Sequence, residues 1–278
     1  MQLKQALSAA IDNLTAHSVG SPRMNAEVLL MFVLNCDRAY LYAHPEYELT
    51  EDEQARYDQA IAERSSGKPS QYITGHQEFW GMDLIVSPAV LIPRPETEHV
   101  VETVLELARM KHAPRIVDVG TGSGCIALAL AHELPWARVE AVDISPVALE
   151  IARANAHRLR LDDRIMFRER DLLAGAPAAT YDFVVSNPPY VPESEPEKAQ
   201  REVRKFEPKV AVFAGESGLE VYRQLVPQAR EALKPGGWLV VEIGYSLAEA
   251  VCGLMSDWAE VRVKPDLQGI PRVVAARP

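Results

Sequence analysis

Asn187-Pro188-Pro189-Tyr190 is the run whose residue types and spacing could do chemistry. Asn187 offers a side-chain carbonyl. Pro188 has no amide hydrogen but keeps its main-chain carbonyl, so the two together could accept both hydrogens of an incoming planar NH2 group. Two prolines fix φ and stiffen the turn, which aims these acceptors before anything binds. Tyr190 adds a flat face on which a planar amide or base could stack. An amide or exocyclic amine nitrogen is a poor nucleophile, because its lone pair is delocalised into a neighbouring π system. Holding both N–H bonds in acceptor bonds favours partial pyramidalisation and turns the lone pair toward an electrophile. Such a reaction rests on positioning and electrostatics and needs no strong base. The competing reading is a rigid turn after a strand with no ligand.

A second constellation supplies the electrophile. Ile116 to Val119 reads as a buried strand running into Gly120-Thr121-Gly122-Ser123-Gly124, and CIALALAHEL then reads as a helix. A glycine-rich turn at a helix N-terminus lets a ligand lie against the main chain. Alone it is a weak signal. Asp143 strengthens it, because it ends the next strand 19 residues beyond Gly124 and can accept both hydroxyls of an adenosine ribose. Asp171, after the third strand, could accept from the adenine amino group, with a solvated loop aspartate as the alternative. An adenosine-bearing sulfonium, S-adenosylmethionine, is the methyl donor that these residues and the Asn187 run suit together. A nicotinamide reading is disfavoured by Cys125, which stands where the third glycine of the dinucleotide fingerprint belongs. The P-loop reading fails because no Gly-Lys-Ser/Thr follows.

The elements that must hold these residues alternate. Strands are expected at Arg115 to Val119, Arg138 to Ile144, Ile165 to Arg168, Phe183 to Ser186 and Trp238 to Ile243. Helices are expected from about Gly124, from Pro146 and near Leu219 to Leu233, and a last helix and strand pair closes the chain. Alternation of this kind predicts an α/β fold with a largely parallel sheet, whose ligands sit at the carboxyl ends of the strands. Ahead of it, residues 1–75 read as a small helical domain. Leu3, Leu7, Ala10, Ile11 and Leu14 form one apolar stripe, Ser21-Pro22 opens a helix to about Asn35, and Thr50 with Glu53 is a capping box for a third ending near Gly67. Residues 76–93, rich in aromatic and β-branched types between turn formers, suit a β-hairpin connector, leaving 94–278 as the catalytic domain.

Composition narrows the function class. A formal charge of −10 over 278 residues argues against a broad grip on nucleic acid, which draws on clustered Lys and Arg. The longest apolar runs, Val28 to Leu34 and Cys125 to Ala131, are far shorter than a membrane span, and the N-terminus lacks the order of a signal peptide. A soluble, cytoplasmic protein is expected. Cys36, Cys125 and Cys252 are widely separated and suit neither disulfides nor a metal, and His132-Glu133 lacks the second histidine of a zinc helix. No metal is expected, and without an oligomerisation helix a monomer is.

At this point the residues match a known family. LIPRPETE (Leu91 to Glu98), DVGTGSGCIALALA (Asp118 to Ala131), AVDIS (Ala141 to Ser145), SNPPY (Ser186 to Tyr190), FEP (Phe206 to Pro208) and DLQGIPRVV (Asp266 to Val274) resemble the release-factor glutamine methyltransferases, the PrmC/HemK family, over nearly the whole chain. NPPY by itself is shared with adenine and guanine amino methyltransferases, whereas LIPRPETE ahead of the glycine loop is much more specific. The resemblance implies a class I methyltransferase (Rossmann-like) fold with a seven-stranded, mostly parallel sheet. It implies methylation of the Gly-Gly-Gln glutamine of class 1 peptide chain release factors on its side-chain amide nitrogen, with S-adenosyl-L-homocysteine as product. Carried over by motif, Gly120, Thr121, Gly122, Ser123, Gly124, Asp143, Asp171 and Asn187 contact the cofactor. Asn187, Pro188, Pro189 and Tyr190 hold the glutamine, with Asn187, Pro188 and Tyr190 as the catalytic set. Arg94 and Glu96 lie near the entrance without an assigned role, and Val191 to Lys205 is a candidate mobile flap. The rivals are a ribosomal-protein glutamine methyltransferase, an adenine amino methyltransferase acting on a flipped base, and a binding module without catalysis.

Overall fold

Leu3, Ala10 and Leu14, part of the apolar stripe, are buried on one face of α1 (Leu3–Ala16) in the computed structural model, which describes residues 1–278. The chain divides into two compact units, Met1–His76 and Gln77–Pro278. In the first, α1 packs with α2 (Pro22–Leu34), α3 (Arg38–Ala43), α4 (Glu51–Ser65) and α5 (Ser70–Thr74). Thr50 and Glu53 form the expected capping box, with Thr50 Oγ1 accepting from Glu53 N at 3.2 Å and Glu53 Oε2 accepting from Thr50 N at 2.8 Å. Ser21 departs from expectation. It precedes Pro22 as foreseen, but its φ is 49° and its hydroxyl caps nothing. The turn is held instead by buried Asn25, whose Nδ2 donates to the carbonyls of Gly20 and Ser21. Arg64 Nε donates to Asn25 Oδ1 at 2.8 Å, fastening α4 to α2.

The hairpin forms from β1 (His76–Phe79) and β2 (Met82–Ile85). Trp80 and Gly81 both have positive φ, 54° and 70°, the backbone that a two-residue hairpin turn uses. Its strands stop at Ile85, and Val86 to Pro93 run on without pairing.

Beyond it, α6 (Glu98–Ala108) precedes a sheet of β3 (Arg115–Val119), β4 (Arg138–Asp143), β5 (Ile165–Glu169), β6 (Tyr181–Ser186), β7 (Leu233–Glu242), β8 (Glu260–Pro265) and β9 (Pro271–Arg277). The strand order is β5-β4-β3-β6-β7-β9-β8, with β9 antiparallel to both β7 and β8. The expected mostly parallel sheet of seven strands is therefore present, and the end of the chain corrects the expectation of one helix and one strand. Short α12 (Ala248–Gly253) is followed by two strands. One apolar layer holds α6, α7 (Cys125–Glu133) and part of α8 (Pro146–Leu159) against the sheet, and the other holds α11 (Glu220–Ala232) and α12. Helices on both faces leave the strand tips as the place where side chains can meet a ligand.

Register decides which residues meet there. Val119 pairs with Val142 on one side and with Ser186 on the other, and Ser186 pairs with Val241 across β7. The chain leaves β3 at Gly120, β4 at Asp143, β6 at Asn187 and β7 at Glu242 along one edge. β3 is also where the order reverses, since β4 lies to one side and β6 to the other, which is the switch point of an open α/β sheet.

Candidate active site

The glycine loop is pinned before any ligand arrives. Gly120 N and Thr121 N donate to the Val142 carbonyl at 2.9 and 3.0 Å, and Gly122 N donates to Asp143 Oδ2 at 2.9 Å. Gly120, Gly122 and Gly124 all have positive φ, which an L side chain rarely adopts. They differ in surroundings. A Cβ at Gly120 or Gly122 would meet nothing, whereas one at Gly124 would lie 3.2 Å from Ala152 Cβ on α8. Gly120 and Gly122 keep a ligand's approach open, and Gly124 lets α7 start close against α8.

A cleft of about 1090 Å³, counting its open mouth, is lined by Gly120, Thr121, Gly122, Ser123, Asp143, Asp171, Asn187 and Pro189. Gly124 stands behind it as the residue preceding α7. Asp143 Oδ1 accepts from Ser145 N at 2.9 Å while Oδ2 serves Gly122, so each oxygen keeps acceptor capacity for a hydroxyl. Burial raises the Asp143 carboxyl above its ordinary range, against the pull of these amides. Beneath the loop, Asp118 Oδ2 takes Thr121 Oγ1 at 2.6 Å and Ala127 N at 3.2 Å. Its Oδ1 is buried with no partner, and burial pushes this carboxyl up to about 7. A glycine cradle with room above it, a two-oxygen acceptor at Asp143 and an apolar wall fit a nucleoside with a charged tail.

A second cleft, of about 1070 Å³, opens beside Asn187, Pro188, Pro189 and Tyr190. Asn187 and Pro189 line both clefts, so the asparagine stands where they meet. The Tyr190 ring is boxed in. A Cβ at Gly244 would come within 2.9 Å of Tyr190 Cδ2, and one at Gly218 within 2.5 Å of the Tyr190 carbonyl. Burial pushes the Tyr190 phenol well above its usual range, which keeps it neutral.

Residues outside the Asn187 run complete this wall. Glu242, at the tip of β7, is buried beside Tyr190, whose hydroxyl lies 3.5 Å from Oε1. Glu242 Oε2 accepts from Thr97 Oγ1 at 2.6 Å, and Thr97 Oγ1 in turn accepts from Asn187 Nδ2 at 3.0 Å. Arg94 lines both clefts and pairs with buried Glu207, which also accepts from Ile92 N at 3.1 Å. Arg272 bridges Asp266, at 2.9 Å, and Glu96, at 4.0 Å. The segments LIPRPETE, SNPPY, FEP and DLQGIPRVV, scattered through the sequence, thus converge on one site. Arg94 and Glu96 now have partners. Thr97 and Glu242 are additions, and the signal for Glu242 was an acid at the carboxyl end of a buried strand. The segment Val191 to Lys205 contains the turn Pro196–Lys198 and most of α9 (Arg201–Phe206), followed by α10 (Lys209–Val212). Lys198, Gln200 and Val203 from it face the second cleft.

All three cysteines are free, no helix is long and apolar enough to cross a membrane, and no group of three His, Cys, Asp or Glu side chains is arranged to hold a metal.

The chain resembles known proteins along its whole length. The PrmC N-terminal domain model matches residues 5–75 and the methyltransferase small domain model matches residues 97–205. The chain is 59% identical to the release factor glutamine methyltransferase of Koribacter versatilis, covering 100% of this chain and 99% of that protein. It is 45% identical to that of Moorella thermoacetica, covering 99% and 98%. Among solved structures, a methyltransferase from Pyrococcus furiosus superposes with a TM-score of 0.53 at 18% identity, covering 82% of this chain and 98% of that one, which speaks to the fold alone.

Proposed function

The chain belongs to the release factor glutamine methyltransferase family, and from that membership we propose that it methylates the side-chain amide nitrogen of the Gly-Gly-Gln glutamine in class 1 release factors. It is an S-adenosylmethionine-dependent methyltransferase. The observation that carries the finer reading is Asn187, which stands where the two clefts meet and so can touch donor and acceptor together.

In this reading the glycine loop and Asp143 hold the adenosine portion of the cofactor, with Asp171 at the adenine end and Gly124 supporting the loop from behind. The cofactor supplies the electrophilic methyl. The protein's part is to bind and orient. Asn187 Oδ1 and the Pro188 carbonyl accept the two amide hydrogens of the glutamine, and Tyr190 packs against the amide plane. No protein base is required before transfer, because the amide proton becomes acidic only once the nitrogen carries the methyl; the S–CH3 bond breaks as the N–CH3 bond forms, and the surplus proton is then lost to water. The product leaves with S-adenosyl-L-homocysteine, and no metal takes part. The helical unit, residues 1–76, is assigned to docking the body of the release factor, and the enzyme acts as a monomer.

The test is to incubate the protein with methyl-labelled S-adenosylmethionine and unmethylated release factor and to map the label by mass spectrometry, using a Gln→Ala acceptor as control. Label on the Gly-Gly-Gln glutamine that vanishes in the control supports the assignment. Label absent there but present on a ribosomal protein, or sensitive to nuclease on a nucleic acid, would replace the acceptor and leave the donor site standing.

A further inference from the structure

A carboxamide has two nearly isosteric ends, and only one of them accepts a hydrogen bond. For Asn187 to receive an N–H from an acceptor amide, something must keep its oxygen in place and its NH2 elsewhere. Half a turn about the side-chain bond would present two donors to two donors.

The surroundings of Asn187 supply the constraint. Asn187 makes one side-chain hydrogen bond within the protein, from Nδ2 to Thr97 Oγ1 at 3.0 Å. Thr97 has one hydroxyl proton, and that proton is committed to Glu242 Oε2 at 2.6 Å. An ionised carboxylate has no hydrogen to give, so Thr97 must donate to it, and the hydroxyl's remaining lone pairs can only accept. With Glu242 ionised the polarity runs one way: Asn187 NH2 to Thr97, Thr97 to Glu242. Main-chain geometry holds the far end, since Tyr222 Oη donates to the Glu242 carbonyl at 2.7 Å. Thr97 and Glu242 are 2% and 3% exposed, so the Thr97–Glu242 bond is shielded from water. Packing gives no reason for the arrangement. A valine at 97 would fill the same space, and a buried carboxylate is expensive to retain in a fold.

We propose that Thr97, oriented by Glu242, is a positioning residue that fixes the Asn187 carboxamide with its oxygen free to accept from the substrate amide. The inference rests on the proposed reading of Asn187 as an acceptor for the glutamine NH2. Thr97 touches no reacting atom; it acts through Asn187.

Three variants and two readouts test it. Thr97→Val removes the hydroxyl at constant shape, Thr97→Ser restores it, and Thr97→Ala serves if the valine variant does not fold. The first readout is nuclear magnetic resonance of the ¹⁵N-labelled Asn187 side-chain NH2, whose protons should exchange slowly when bonded to Thr97. The second is kcat on a Gly-Gly-Gln acceptor beside KM for S-adenosylmethionine. The expected result is loss of NH2 protection in the valine variant, with kcat about 10- to 100-fold lower, the scale of misplaced polar groups, and KM within about 2-fold. Serine should restore both readouts. Unchanged kcat in Thr97→Val overturns the proposal, and so does a fall in kcat with the Asn187 signal intact. If the unaltered enzyme methylates no Gly-Gly-Gln glutamine, the acceptor assignment fails separately, and the NH2 signal still decides whether Thr97 orients Asn187.

Discussion

Asn187 carries the largest single expectation. Asn187→Ala should lower methyl transfer about 100-fold or more, the scale of losing a polar contact that stabilises developing charge, with the fold retained by circular dichroism. A near-normal rate would remove Asn187 from the reaction. Glu242 makes a second expectation through pH. Burial pushes its carboxyl up to about 7, against the stabilising Thr97 hydrogen bond. It is faced by Thr97 and Glu96, by Tyr190 and Tyr222, by Arg272 on β9 and by Cys125 on α7. Only the ionised form obliges Thr97 to donate to it, so kcat should rise with pH through about 7. Glu242→Gln, which keeps a carbonyl for Thr97, should flatten that rise; superimposable profiles would refute the link. Stability runs the opposite way. The folded value lies above the ordinary 4.5, so this group's contribution is fully present below about 4.5 and is lost as pH rises through about 7. Glu242→Gln should therefore raise the melting temperature relative to the unaltered protein more at pH 8 than at pH 5. Asp118, pushed up for the same reason, contributes the same slope in both proteins.

At the scale of elements, β6 depends on a charge cluster at its start. Asp182 takes Lys111 at 2.9 Å, Lys234 at 2.7 Å and the Arg115 amide at 3.0 Å, tying β6 to the start of β3 and to β7. These partners overcome burial and hold its carboxyl down at about 2. Asp182→Asn should cost about 2 kcal/mol, as expected for losing hydrogen bonds to a charged group, read by urea unfolding at pH 7. The deficit should shrink as pH falls from about 4 toward 2, where the aspartate itself loses its charge; a deficit independent of pH would place the effect elsewhere. Much at this scale was legible in sequence. Period and glycine placement gave β3, β4, β6, α7 and the hairpin, because those signals are local. The last two strands were harder. β8, EVRVKP, alternates charges with valines as a strand does, but it is a short edge strand whose valines stay exposed, so no buried apolar run marks it as a member of the sheet. α6 hid behind two prolines in LIPRPETE, although Val100, Val101, Val104 and Ala108 mark its buried face. Glu242 had a local signal, but its contact with Thr97 was beyond reach, since the two are 145 residues apart and meet only where the start of α6 packs against β7.

On the scale of the whole molecule, each unit has its own apolar core. Leu3, Leu14, Leu29, Leu30 and Tyr57 anchor the helical one, and two layers flank the sheet of the other. Deleting residues 1–76 should therefore leave a folded catalytic unit. If the helical unit docks the release factor, the deletion should weaken methylation of the whole factor about 10-fold more than methylation of a short Gly-Gly-Gln peptide, since docking contributes affinity and not chemistry. Equal losses on both substrates, with the fold intact, would end that assignment.

The pairing of Ser186 with Val241 has an implication for how this protein tolerates changes of length. Asn187 and Glu242 are each one step past that pair, so the site depends on the phase of β7 as much as on its composition. Side chains alternate between faces, and one residue gained or lost between Trp238 and Val241 would turn Glu242 to the opposite side of the sheet and bring an aliphatic neighbour against Thr97. The same insertion placed after Gly244, where Tyr245 is exposed, would be absorbed by the loop. Among descendants of this sequence, indels should therefore accumulate after β7 and be absent within it, even where every individual side chain is free to vary.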